Sequence, residues 1–157
     1  MHSVQKEQRN LMAFFVAIAV FGIDRFTKLA ALGLLDQGRP IKIVPGLFDI
    51  NLVLNDGAAF GLFKGKAVFF IFISIAVIVA IIAYILKNRA TGKLNSISLG
   101  MVLGGALGNL ADRIIFGRVV DFLDFQIWPV FNIADSCITI GAVLLAYSFI
   151  FKDQGEA

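Results

Sequence analysis

AVFFIFISIAVIVAIIAYIL, residues 67–86, runs for 20 positions without a charged side chain. An α-helix rises about 1.5 Å per residue, so about 20 apolar residues cross the roughly 30 Å hydrocarbon core of a bilayer. Three further apolar stretches, 11–33, 97–116 and 132–151, have suitable length. They are interrupted by Asp24, Arg25 and Lys28, by Asp112 and Arg113, and by Asp135 respectively. Composition points the same way: the 157 residues are 59% hydrophobic and 16% charged, with a mean hydropathy of +0.86. A soluble domain of this size does not need that much apolar surface. The expectation is an all-α membrane protein with four transmembrane helices, forming a single integral-membrane domain over residues 1–157.

Residues 1–10 are polar and carry Lys6 and Arg9 ahead of the first apolar run. That pattern opens many secretory signal peptides, but no small-residue cleavage site follows, and an uncleaved first helix is expected. Lys87, Arg89 and Lys93 crowd the segment between the second and third spans without an acid. Short basic loops stay on the cytoplasmic side, which places both termini there. The net charge of +3 is modest and serves topology, so no nucleic-acid partner is implied. Cys137 is the only cysteine and His2 the only histidine. An internal disulfide is therefore excluded, and a Ser/His triad or histidine-based zinc site has no support. Cys137 reads as a packing residue.

The segment from 34 to 66 is more than a connector. Ile41-Lys42-Ile43-Val44 is a β-type run, Pro45-Gly46 a turn signal, and residues 49–55 roughly alternate polar and apolar. A small extracytoplasmic β-region over about 36–62, between helices 1 and 2, is expected to lie at the membrane surface as a hairpin. In the third span Gly100, Gly104 and Gly108 recur every four residues, a smooth stripe that admits a second helix at close range. Asn109, Asp112 and Arg113 follow it directly.

With four antiparallel spans, the unusual polar residues collect at one membrane level. Asp24 lies about 13 residues into the first span, roughly 20 Å along it. Asn55 and Gly57 lie in the following loop, Asn109 and Arg113 in the matching end of the third span, Asp121 in the next loop, and Asn132 and Asp135 at the start of the fourth. Ionisable groups at membrane depth are expensive and usually face partners or mark function. Simpler roles exist for each. Asp24 and Lys28 neutralise each other at helical spacing, Arg113 pairs with Asp112 or snorkels, Asn109 bridges helices, and Asn132 caps the fourth span. Asp121 alone is an ordinary loop aspartate. Asp135 is harder to dismiss, because it stands one turn inside an apolar helix with no basic neighbour in sequence. Two carboxylates brought close together share a proton near neutral pH, the condition for activating water. Spacing alone does not choose between Asp121 and Asp124.

The segments GIDRFTK at 22–28, NDGAAFG at 55–61, GGALGNLADR at 104–113, VVDF at 119–122 and FNIADS at 131–136 together resemble the lipoprotein signal peptidases, or signal peptidase II, over essentially the whole chain. The resemblance implies a bacterial inner-membrane aspartyl endopeptidase with an extracytoplasmic β-region and an active site near the outer face. It implies removal of signal peptides from prolipoproteins, immediately before a cysteine already carrying diacylglycerol. It selects Asp121, through VVDF, and Asp135 as the catalytic dyad. Asp24, Asn55, Gly57, Asn109, Arg113 and Asn132 then support the dyad or bind substrate, with the turn from Gly57 to Phe60 holding substrate near the scissile bond. No cofactor or metal is implied; the partners are diacylglyceryl-modified prolipoproteins and membrane lipid, and a monomer suffices. Two other classes fit the residues less well. A metal-dependent lipid-phosphate transferase needs a compact acidic cluster holding magnesium through oxygen ligands. A small transporter subunit spreads its charges through the membrane depth.

Overall fold

Small residues decide how the helices pack. The computed structural model describes residues 2–57, 67–87 and 92–152. Within them run α1 (His2–Leu34), β1 (Ile41–Val44), β2 (Phe48–Asn55), α2 (Ala67–Lys87), α3 (Lys93–Phe116), β3 (Val119–Asp124) and α4 (Ile133–Lys152). Helix α3 is central and packs against α1, α2 and α4. A Cβ on Gly100 would lie 2.5 Å from the Ala13 carbonyl oxygen, and one on Gly104 2.5 Å from that of Ala17. The four-residue stripe therefore faces α1. Gly105 faces the other way, where a Cβ would lie 2.5 Å from the carbonyl oxygen of Ala134 on α4. One helix presents backbone to two neighbours at once, which only glycine permits at such range.

The helices are apolar outside and partly polar inside. On α1 the outward residues are Leu11, Phe15, Ile18, Phe26 and Leu29, while Ala13, Ala17, Val20, Asp24, Lys28 and Ala31 are buried. The buried set recurs every three or four positions, as a helix face requires. α2, α3 and α4 are long and apolar enough to cross a membrane, so the chain is a mostly helical membrane protein. α1 is 33 residues long and carries Asp24, Arg25 and Lys28 within its apolar stretch. The helices run beyond the expected spans: α1 begins at His2 and α3 at Lys93.

The β-region needs a larger correction. The expected hairpin is two strands of a three-stranded antiparallel sheet in the order β1-β2-β3, and the third strand comes from between α3 and α4. VVDFLD at 119–124 is this strand, not a loop. α3 ends at Gly117, whose left-handed backbone (φ 68°) lets its N–H donate to the Arg113 carbonyl and turns the chain into β3. β3 then pairs with β2, with Val53 opposite Asp121 and Asn55 opposite Val119. Strand alternation sends Val120 and Phe122 into an apolar cluster with Ala31 and Leu52. It sends Val119 and Asp121 into a pocket on the opposite face. After residues 125–130, the backbone of Phe131 exchanges hydrogen bonds with Leu123, and Asn132 opens α4. The expected topology marker Arg89, the tail of the β-region beyond Gly57, and the 58–60 part of the substrate turn fall outside the described residues.

Candidate active site

Four elements meet around one pocket of about 260 Å³, lined by Asn55 at the end of β2 and Gly57 just beyond it, Arg113 of α3, Val119 and Asp121 of β3, and Asp135, Ile138 and Thr139 of α4, with residues 128–131 closing the rim. Asp121 is 1% exposed. Its carboxylate accepts from Asn55 Nδ2 (2.9 Å) on Oδ2 and from Asn132 Nδ2 (2.6 Å) on Oδ1. Both donors are fixed from behind. Asn55 Oδ1 accepts the Gly57 N–H, and Asn132 Oδ1 accepts the Asp135 N–H (2.8 Å) as the N-cap of α4. In each amide the oxygen is committed, so the NH2 must face Asp121. Asn132 therefore serves both as cap and as donor to the site, two roles that the sequence set apart as alternatives.

Asp135 is held in a parallel way. Asn109 Nδ2 donates to Asp135 Oδ1 (2.7 Å), while Asn109 Oδ1 accepts from Asn132 Nδ2 at 3.2 Å. A continuous path thus runs Asp121, Asn132, Asn109, Asp135. Burial, reinforced by the Asp135 charge, pushes the Asp121 carboxyl up to about 7, against the pull of its two asparagine donors. Near neutral pH Asp121 is poised between its charged and neutral forms.

Asp124 has a different environment. It accepts from Asn51 Nδ2 (2.9 Å) and the Gln126 N–H, pairs across the sheet with Asp49, and does not line the pocket. Arg113 lines the pocket with its guanidinium 5.0 Å from the centre of the Phe70 ring. It does not pair with Asp112, the partner that the sequence suggested. Asp112 instead meets Arg25 and Lys28 of α1.

Asp24 sits behind the pocket rather than in it. It is completely buried, pairs with Lys28 (2.9 Å), and accepts the Ala134 N–H (2.9 Å) at the start of α4. A Cβ on Gly108 would collide with this carboxylate, so Gly108 makes the room it occupies. Asp112 Oδ2 accepts from Lys28 Nζ (2.9 Å) and from the Val120 N–H (3.1 Å), the residue before Asp121. Sequence reasoning left Lys28, Arg25 and Asp112 out of the site. The available signal was five charges in two motifs, GIDRFTK and NLADR, which a membrane helix would not carry unpaired. Among the described residues no group of three or more His, Cys, Asp or Glu side chains is placed to hold a metal ion.

A second cavity, about 430 Å³, opens beside the first and shares Trp128, Phe131, Asp135 and Thr139 with it. Its remaining lining is Phe125, Ile127, Ser136 and Ile140. It is predominantly apolar, and Ile127 on its rim is 90% exposed. The arrangement couples a polar pocket holding two carboxylates to an apolar cleft.

Comparison with known proteins gives a consistent result. A family model described as signal peptidase (SPase) II matches residues 16–151. The lipoprotein signal peptidase of Pelotomaculum thermopropionicum is 43% identical over 140 residues, covering 89% of this chain and 92% of that protein. That of Halothermothrix orenii is 45% identical over 134 residues, covering 85% and 92%. A bacterial membrane enzyme solved by the in meso method at 2.3 Å resolution superposes with a TM-score of 0.86 at 31% identity, over 92% of this chain and 91% of that one. A second, at 1.9 Å resolution, gives 0.80 at 32% identity, over 88% and 92%.

Proposed function

The chain belongs to the signal peptidase II family, and we propose that Asp121 and Asp135 are the dyad with which it works. As a family member it is an aspartic protease of the bacterial membrane that removes signal peptides from prolipoproteins. The observation that carries the dyad is the shared path between the two carboxylates, Asn132 to Asp121 at 2.6 Å and Asn109 to Asp135 at 2.7 Å, with both acids at one pocket. Fixed amide donors hold each carboxylate in place, and one proton is shared between the two acids.

The reaction needs no covalent intermediate. The ionised carboxylate takes a proton from a water molecule as the water oxygen attacks the scissile carbonyl carbon. The protonated carboxyl donates to the developing oxyanion and passes its proton there. Collapse of the tetrahedral gem-diol breaks the C–N bond, and a proton from the dyad goes to the leaving nitrogen. The products are a signal peptide with a new carboxylate and a mature chain with a free α-amino group. One proton remains on the pair, which titrates as a unit. Asn55 and Asn132 orient Asp121, and Asn109 orients Asp135. Arg113, on the pocket wall, contacts the substrate backbone. Asp24 acts from behind by anchoring the first turn of α4. Gly57 holds Asn55 in register through its N–H.

The finer account of substrate and membrane follows from the same features. The scissile bond precedes a diacylglyceryl-modified cysteine, and the apolar cleft beside Asp135 receives acyl chain while the polar pocket receives the peptide. α1 is a fourth transmembrane helix, with its charges neutralised internally. Lys6, Arg9, Lys87 and Lys93 keep both termini in the cytoplasm of the cell, and the site faces the outer leaflet of the inner membrane. The chain acts as a monomer of one domain. The test is cleavage of a diacylglyceryl-modified lipobox peptide by purified protein in detergent, with a strong chelator present. Undiminished cleavage is expected; loss restored by magnesium would favour a metal-dependent lipid-phosphate enzyme instead.

A further inference from the structure

Lys28 is completely buried and has three acceptors around its ammonium group: Asp24 Oδ2 (2.9 Å), Asp112 Oδ2 (2.9 Å) and Asn109 Oδ1 (2.8 Å). An ammonium has three hydrogens and no acceptor; it donates to Asn109 Oδ1, and the two carboxylates at 2.9 Å supply the counter-charge. The third contact differs in kind from the first two. Asp24 and Asp112 neutralise charge, whereas Asn109 is a neutral amide whose other end reaches Asp135 at 2.7 Å. Only an oxygen can face the ammonium. Lys28 therefore forces the Asn109 NH2 towards Asp135 and excludes the flipped amide, which would aim its NH2 at the ammonium and its oxygen at the Asp135 carboxylate.

The cluster is also balanced. Asp24 and Asp112 carry two negative charges, Arg25 and Lys28 two positive ones, and Arg25 pairs with Asp112. A neutral cluster sets the amide without imposing a net charge that would drive both dyad acids to ionise. A lone cation in the same position would do so.

We propose that Lys28 is a positioning residue for the hydrolysis: by donating to Asn109 Oδ1, it fixes the amide that holds Asp135. Its contact with the reacting groups is indirect, through one side chain. The inference rests on Asp135 belonging to the dyad. It also separates Lys28 from Asp112, whose hydrogen bond to the Val120 N–H fixes the strand rather than an amide.

A double-mutant cycle tests it, in a parent that Lys28→Met brings back to a neutral cluster. Asp24→Asn retains an oxygen for the Ala134 N–H and leaves Lys28 paired with Asp112. Adding Lys28→Met then removes one positive charge, leaving Arg25 and Asp112 as a pair. Relative to Asp24→Asn, this should lower kcat roughly 10- to 100-fold, the scale of a small misplacement of a catalytic group, with KM and the thermal midpoint in detergent little changed. In a parent that also carries Asn109→Leu, Lys28→Met should cost less than about threefold, because the amide it acts through is gone. Equal kcat losses in both parents would show that Lys28 only supports the fold, and no loss in the first parent would also overturn the proposal. If Asp24→Asn does not accumulate, Asp112→Asn provides an equivalent parent, which Lys28→Met likewise brings back to neutrality. Full activity in Asp135→Asn would instead sink the dyad assignment, a failure distinct from additivity in the cycle.

Discussion

Asp121 shows how a single residue acquires chemistry from its neighbours. A carboxyl ordinarily titrates near 3.8; burial first, and the Asp135 charge second, push this one up to about 7. Between those values the folded protein holds a proton that the unfolded chain has released. Stability therefore falls as pH rises through that window. The thermal midpoint in detergent should be higher at pH 5 than at pH 8, and Asp121→Asn should flatten the difference; an unchanged slope would remove the buried, proton-sharing carboxyl. Turnover should decline as pH rises past about 7, where the pair loses its shared proton. Asn55→Ala leaves one Asp121 oxygen without its donor, so turnover should fall by about tenfold or more while the bundle stays folded. Asparagines 55, 109 and 132 were legible as polar residues at one level. Their shared logic was not, because which end of an amide is committed depends on backbone N–H groups and an ammonium brought in from other elements.

Among the elements, the helices were easiest to read and β3 hardest. A 20-residue uncharged run has one solution in a membrane, whereas a six-residue strand competes with every other short apolar stretch. VVDFLD does alternate, with Val120 and Phe122 on one face and Val119 and Asp121 on the other. The partner that makes it a strand is β2, 66 residues earlier at the Asn55–Asp121 hydrogen bond, and no local signal announces such a pairing. The glycine stripe was legible as a close-approach surface, but not the helix it meets. Since Gly104 faces the Ala17 carbonyl of α1 at a distance that leaves no room for a Cβ, Gly104→Leu must separate α1 from α3. That also shifts Asp24 and Lys28. Gly105→Leu should instead displace α4 at Ala134, next to Asp135. Both variants should show lower thermal midpoints in detergent and lower activity. Full activity with unchanged midpoints in both would mean that these faces do not carry the packing.

At the scale of the whole molecule, the polar network lies at the end of the bundle where the sheet sits, and the apolar cleft opens beside it. On the proposed reading, such an arrangement selects a bond by its depth as well as its sequence. On that reading, two acyl chains hold the substrate cysteine at the interface, each buried methylene contributing about 0.8 kcal/mol. An unmodified lipobox peptide should therefore be cut far more slowly than its diacylglyceryl form at matched concentration in the same micelles. Equal rates would point to a general intramembrane protease on this scaffold. The central claim, two aspartates acting as one catalytic unit, is tested most directly by the rate at which purified variants release signal peptide from the diacylglyceryl substrate. Asp121→Asn and Asp135→Asn should each reduce that rate by at least about 100-fold while accumulating normally, and Asp124→Asn should retain substantial activity. An active Asp121→Asn beside an inactive Asp124→Asn would contradict the assignment.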